Sequence, residues 1–179
     1  MIYVFLANGF EEIEAIAPID ILRRADFDVK TVGVGGKTVT SARGIPVICD
    51  AEESEITPES IQAIVLPGGG TGTENLEASE IVQTFINAAS KANALICAIC
   101  AAPSILGHKG LLAGKNCTAF PTFQKELKGG IISTEPVVKD GSIITAEGAG
   151  VSCDFALKIV EALAGKEKSE NLRGTMRFK

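Results

Sequence analysis

With 179 residues, 46% of them hydrophobic and 22% charged, the chain can bury a sizeable core, fits one folded domain over residues 1–179 and is not disordered. A net charge of −5 gives no basic surface for nucleic acid or an anionic membrane. The longest apolar stretch, residues 92–106, is broken by Asn93, Pro103 and Ser104, short of the roughly 18 residues that a membrane span requires.

Residues 2–7 are a continuous apolar run without a basic leader, so they read as an opening buried strand, not a signal peptide. Glu11 to Arg24 follows at mostly helical spacing with acids in its first turn, although Pro18 should kink or weaken it. Val29 to Val34 reads as a second strand, and residues 38–49 as a short strand pair around Arg43-Gly44. Ala63 to Leu66 is a buried strand closed by Pro67-Gly68-Gly69-Gly70, and the spacing predicts one helix over Thr73 to Ala92. Ala94 to Ile99 is the most apolar strand, with a helix from Ala101 onward and Pro103 near its start. Cys117 to Phe120, 131–138 and 142–146 look extended, with Asp140-Gly141 marking a hairpin between the last two. Val151 to Ala164 closes the chain as an amphipathic helix ended by Gly165. Strands alternating with helices predict an α/β fold: a flavodoxin-like three-layer sandwich, its mostly parallel sheet covered by helices on both faces.

Ligands of such sheets gather at the carboxyl ends of the strands. Three loops lie there: 8–14, 67–73 and 100–104. In the last, Cys100 stands where a buried strand becomes a helix, with Ala101 and Ala102 leaving room for a sharp turn. A helix N-terminus lowers a thiol pKa below about 8.5, so this position predicts a reactive thiolate; the alternative is a core cysteine. Cys97 lies three strand residues away, about 10 Å, beyond the roughly 7 Å a disulfide allows. Five scattered cysteines, an odd number with no secretory signal, favour reduced thiols in a cytoplasmic protein.

The cluster Glu11-Glu12-Ile13-Glu14 sits at the same sheet edge. One of its acids can hydrogen-bond the thiolate only while protonated, since two adjacent anions repel; otherwise these are first-turn acids that complement the helix dipole. Pro67-Gly68-Gly69-Gly70 supplies backbone N–H groups for an oxyanion hole, or is a structural turn. Gly36-Lys37-Thr38 fits no complete phosphate-loop pattern. The only histidine, His108, falls two helical turns past Cys100, which argues against a Cys–His dyad and, with dispersed cysteines, against a zinc site.

Four blocks in order are similar to the DJ-1/ThiJ/PfpI superfamily, in its DJ-1 and YajL branch. They are Gly9-Phe10-Glu11-Glu12-Ile13-Glu14, Val65-Leu66-Pro67-Gly68-Gly69, Ala98-Ile99-Cys100-Ala101-Ala102-Pro103 and Phe155 to Leu163. The resemblance implies that Cys100 is an oxidation-prone nucleophile, with Glu14 the protonated carboxyl bonded to it and Gly69 and Ala101 backbone donors around the thiolate. It also implies pocket roles for Gly68 and Arg43, and for Arg24 a reach across a homodimer interface. Where DJ-1 has a histidine near the cysteine, this chain has Phe120, as YajL-like members do, so hydrolysis by a Cys–His pair loses its base.

The activity so implied is a slow, cofactor-free and metal-free glyoxalase of reactive dicarbonyls, or a deglycase of early glycation adducts. The substrate is then a small aldehyde or glycated group. The alternative is a non-enzymatic redox sensor or chaperone in which Cys100 is oxidised to sulfinic acid. A thiazole or thiamine role finds no support in these residues, and an amidase or protease lacks its histidine.

Overall fold

The computed structural model describes residues 1–178. In chain order the elements are β1 (Ile2–Ala7), α1 (Glu12–Arg24), β2 (Val29–Val34), β3 (Thr38–Thr40), β4 (Pro46–Ile48), β5 (Ala51–Glu52), β6 (Ala63–Leu66), α2 (Gly70–Ala78) and α3 (Glu80–Lys91). They continue with β7 (Leu95–Ile99), α4 (Pro103–His108), β8 (Asn116–Cys117), β9 (Ile131–Ile132), β10 (Val137–Asp140), β11 (Ile143–Ala146), α5 (Ser152–Ala164) and α6 (Lys166–Thr175). Seven strands form one sheet in the order β10-β11-β7-β6-β1-β2-β5, parallel throughout except for the β10–β11 hairpin. This is the flavodoxin-like layering expected.

Its central strands are apolar at every position because both faces are covered: β1, β6, β7 and β11 are buried along their whole length. On one face Val4, Leu6, Val65 and Cys97 pack with Ala15, Ile19 and Leu22 of α1 and Phe155 and Ile159 of α5. On the other, Tyr3 and Phe5 meet Phe85 of α3 edge-on, with ring centroids 4.8 and 5.2 Å away. The helix α1 runs unbroken through the buried Pro18.

Three expectations are corrected. The helix predicted over 73–92 is two helices, because Ser79 is extended (φ −75°, ψ 120°) and its Oγ accepts the Val82 N–H to cap a new helix. The chain does not close with α5: Gly165, at φ 89°, ends it, and α6 follows, tied back by Ser169 Oγ donating to the Leu157 carbonyl at 2.8 Å. The extended stretch 131–138 divides, with Ile131–Ile132 pairing Asn116–Cys117 in a small parallel sheet while only Val137 onward joins the main one.

The strand order locates the site. From β1 the chain moves one way to β2, then returns across to β6 and β7 on the other side. The carboxyl ends of β1 and β6 therefore flank a topological switch point, with β7 next to them, where loops diverge and leave a crevice.

Candidate active site

After β7 the backbone turns abruptly at Cys100, which adopts φ +64° in the left-handed region. A non-glycine residue is held there at a cost on the order of 1 kcal/mol or more, and only where its surroundings fix it. The Cys100 N–H donates to the Ala146 carbonyl of β11, and its carbonyl accepts the Phe120 N–H, both at 2.9 Å. The turn leaves the Cys100 side chain partly exposed, while Cys49, Cys97 and Cys117 are buried. Cys97 is wholly within the core, as its strand position predicts.

The three adjacent acids of the first loop separate by role. Glu11 is the N-cap of α1, its Oε2 accepting the Glu14 N–H at 2.8 Å. Glu12 turns outward, its Oε1 accepting the Ser41 hydroxyl and the Arg43 N–H. Glu14 turns inward and is fully buried. Its Oε2 accepts the Gly68 N–H at 2.9 Å, whereas Oε1 has no partner of ordinary hydrogen-bond geometry.

Gly68 joins the carboxyl to the thiol. A Cβ at this position would lie 2.6 Å from Glu14 Oε2 and 2.7 Å from Cys100 Cβ. Only glycine allows that approach. Gly69 has φ +90°, and a Cβ there would lie 2.3 Å from the Gly9 carbonyl. The loops after β1, β6 and β7 thus close on one another through bare backbone.

Burial raises the Glu14 carboxyl from 4.5 to about 7; interaction with the Cys100 thiol and the Gly68 and Ala149 amides opposes that rise, and the Glu11 charge adds to it. The Cys100 thiol is pushed up to about 12, first by burial and then by the Glu14 carboxylate, against the pull of the Gly69 and Ala101 amides. This corrects the expected low thiol pKa. The helix begins only at Pro103 and has six residues, so Cys100 lies three positions before a short dipole, and burial outweighs it. Charge on either group opposes charge on the other, so the pair titrates as a unit. Protonating Glu14 removes its repulsion and gives the orphaned carboxyl a proton to donate, which favours the thiolate.

A stability test follows. Glu14 binds its proton more tightly when folded (about 7) than the ordinary 4.5, so its stabilisation is whole below pH 4.5 and lost as pH rises through 7. Glu14→Gln cannot titrate. Between pH 4 and pH 8 the wild type should lose about 3 kcal/mol of unfolding free energy relative to the variant, an order-of-magnitude figure. Urea unfolding at the two pH values measures it, and parallel pH dependence of the two proteins would contradict a neutral buried Glu14.

Of the other predicted residues, Gly68, Gly69 and Ala101 converge on Cys100 and Glu14. Arg43 lies on the loop bound to the first turn of α1 through its own N–H, with its side chain exposed. Arg24 occupies the far end of α1, ten residues or about 15 Å from Glu14, and pairs with Asp20 at 2.8 Å. Within one chain it does not reach the thiol. His108 sits between Glu77 (2.6 Å) and Glu126 (3.3 Å) at the end of α4, engaged with carboxylates. Sequence reasoning missed the loop after β11, whose Ala149 amide favours the Glu14 anion. Its signal was present: Glu147-Gly148-Ala149-Gly150 follows an apolar strand just as Pro67 to Gly70 does.

A parallel α/β sheet that carries a cysteine on a left-handed elbow, beside a buried carboxyl and glycine amides, defines a class of nucleophile-elbow proteins. The sequence model of the DJ-1/PfpI family matches residues 1–162, and the chain belongs to that family. It is similar to Protein dj-1beta of Drosophila melanogaster, 37% identical over 94% of this chain and 92% of that protein. It is also similar to the glutathione-independent glyoxalase DJR-1.2 of Caenorhabditis elegans, 32% identical over 90% of this chain and 87% of the relative. Among solved structures, oxidized Toxoplasma gondii DJ-1 superposes with a TM-score of 0.95 at 31% identity, covering 99% and 97% of the two chains.

Proposed function

We propose that this DJ-1-type protein converts reactive 2-oxoaldehydes and water to 2-hydroxy acids without glutathione, with Cys100 as nucleophile and Glu14 as proton carrier. The observation that carries this reading is the fully buried Glu14, raised to about 7, packed against the cysteine of a strained elbow. A carboxyl near neutrality both gives and takes a proton at working pH. The named activity of the Caenorhabditis elegans relative supports the same chemistry.

For methylglyoxal, Sγ bonds to the aldehyde carbon while the carbonyl π electrons move to oxygen, which takes a proton and gives a hemithioacetal. The Gly69 and Ala101 amides face that developing charge. Glu14 then carries the proton lost from the former aldehyde carbon to the neighbouring one. The first carbon is oxidised, the second reduced, and water cleaves the resulting thioester to release lactate and the thiol. No external oxidant is needed. In an early glycation adduct the same carbon carries a hydroxyl and the amine: sulfur bonds to it as the C–N bond breaks, the amine leaves with the thiol proton, and the same hemithioacetal results, which makes deglycation a variant of this activity. Incubation with methylglyoxal and no glutathione tests the reading, through lactate formed by the wild type.

A second reading is oxidation of Cys100 by peroxide, the thiolate taking one oxygen to sulfenate and a second to sulfinate as each peroxide leaves as water. The oxidized state of the Toxoplasma gondii relative favours it. Peptide mass spectrometry after mild peroxide should find Cys100 modified before Cys49, Cys97, Cys117 and Cys153; earlier oxidation of any of these would count against it.

We also propose a homodimer in a reducing, cytoplasmic setting. Ile13 and Ile16 of α1 are 54% and 44% exposed, Ile48 lies open on β4 and Ile45 just before it, and the loop that joins β3 to β4 is bonded to α1. Four exposed isoleucines on two elements that are bonded together offer an apolar face to a second copy of the chain. Ile16→Arg should shift sedimentation from dimer to monomer with little change in folding; a wild-type monomer would exclude the dimer.

A further inference from the structure

Phe120 is a large apolar side chain left 45% exposed. Its N–H donates to the Cys100 carbonyl at 2.9 Å, which places its backbone directly against the elbow. Its ring lies along Gly148, where a Cβ would stand 3.5 Å from Cδ2. The next residue, Ala149, supplies the amide that favours the Glu14 anion. The ring therefore stands between the backbone of the nucleophile and the loop over the carboxyl. It is also held there: Pro121 follows it, a helical turn runs from Pro121 to Glu126, and the Phe123 N–H returns to the Phe120 carbonyl at 2.8 Å. Folding requires no exposed ring at this position, and the ring has no polar tip to offer a substrate.

We infer that Phe120 is a specificity-determining residue, an apolar wall that selects 2-oxoaldehydes bearing an aryl or bulky alkyl group over glyoxal. This rests on the aldehyde reading of Cys100. The substituent on the ketone carbon lies against the ring while the aldehyde carbon meets the sulfur. An aromatic contact of this kind changes discrimination by about three- to tenfold.

The test compares kcat/KM for phenylglyoxal, methylglyoxal and glyoxal in the wild type, Phe120→Leu and Phe120→Ala. Phe120→Ala should lower the phenylglyoxal value about tenfold and the glyoxal value less than twofold, with Phe120→Leu between. A second arm needs no turnover: alkylation of Cys100 by phenacyl bromide and by iodoacetamide, followed by intact mass. The rate ratio of the two reagents should fall about tenfold in Phe120→Ala. Equal losses for all three aldehydes, or an unchanged alkylation ratio, overturn the inference. A shifted alkylation ratio in a protein that converts none of the aldehydes upholds the wall and overturns the glyoxalase reading beneath it.

Discussion

Cys100→Ser should abolish lactate formation from methylglyoxal, lowering the rate by about a thousandfold or more while leaving the fold intact. Serine fits the space and can adopt the same left-handed turn, whose bonds to Ala146 and Phe120 are made by backbone alone. What the variant lacks is a group that ionises. A serine hydroxyl becomes a nucleophile only with an adjacent base, and the sole histidine is engaged by Glu77 and Glu126 at the end of α4. A spectrophotometric lactate assay, with thermal unfolding as the control for folding, measures the effect. A variant retaining a tenth of the wild-type rate would remove Cys100 from the chemistry.

Glu14→Gln carries the second large effect, a fall of about a hundredfold or more in kcat, the usual loss when a positioned proton carrier is removed. Glutamine still accepts the Gly68 N–H, so the loop after β6 keeps its place. The pH profile separates proton transfer from mere positioning. In the wild type, activity should fall as pH rises above about 7, because Glu14 then loses its proton and its charge opposes the thiolate. The glutamine variant has no such limb. Equal losses at pH 6 and pH 9 with the same profile shape would assign Glu14 a structural role only.

Much of this arrangement is legible in the residues. Continuous apolar runs announce β1, β6 and β7 because strands covered on both faces have no polar side to show. Cys100 stands out because a cysteine between such a strand and small residues has few other uses. The acids were harder: Glu11, Glu12 and Glu14 have the same chemistry, and spacing alone does not say which turns inward. Only the tertiary partners settle it, Glu11 capping α1, Glu12 binding the Ser41–Arg43 loop and Glu14 receiving the Gly68 amide. The break at Ser79 is hidden because Leu76, Val82 and Phe85 keep a helical rhythm across it, leaving the cap itself as the signal. The helix α6 is polar along most of its length, and its place comes from contacts with α5 that no local pattern records. The thiol pKa departs from the local expectation for the same reason. The dipole argument is local, whereas burial and a carboxylate from another loop decide the outcome.

In the proposed reaction Cys100 bonds to the aldehyde carbon and Glu14 moves the proton. Methylglyoxal labelled with carbon-13 at the aldehyde, followed by NMR with stoichiometric protein, tests it most directly. The label should pass from aldehyde to a sulfur-bonded tetrahedral carbon and then to the carboxylate of lactate, with the tetrahedral signal accumulating in Glu14→Gln and absent in Cys100→Ser. Lactate appearing at the same rate from Cys100→Ser, or with no sulfur-bonded carbon in either active form, would contradict the account.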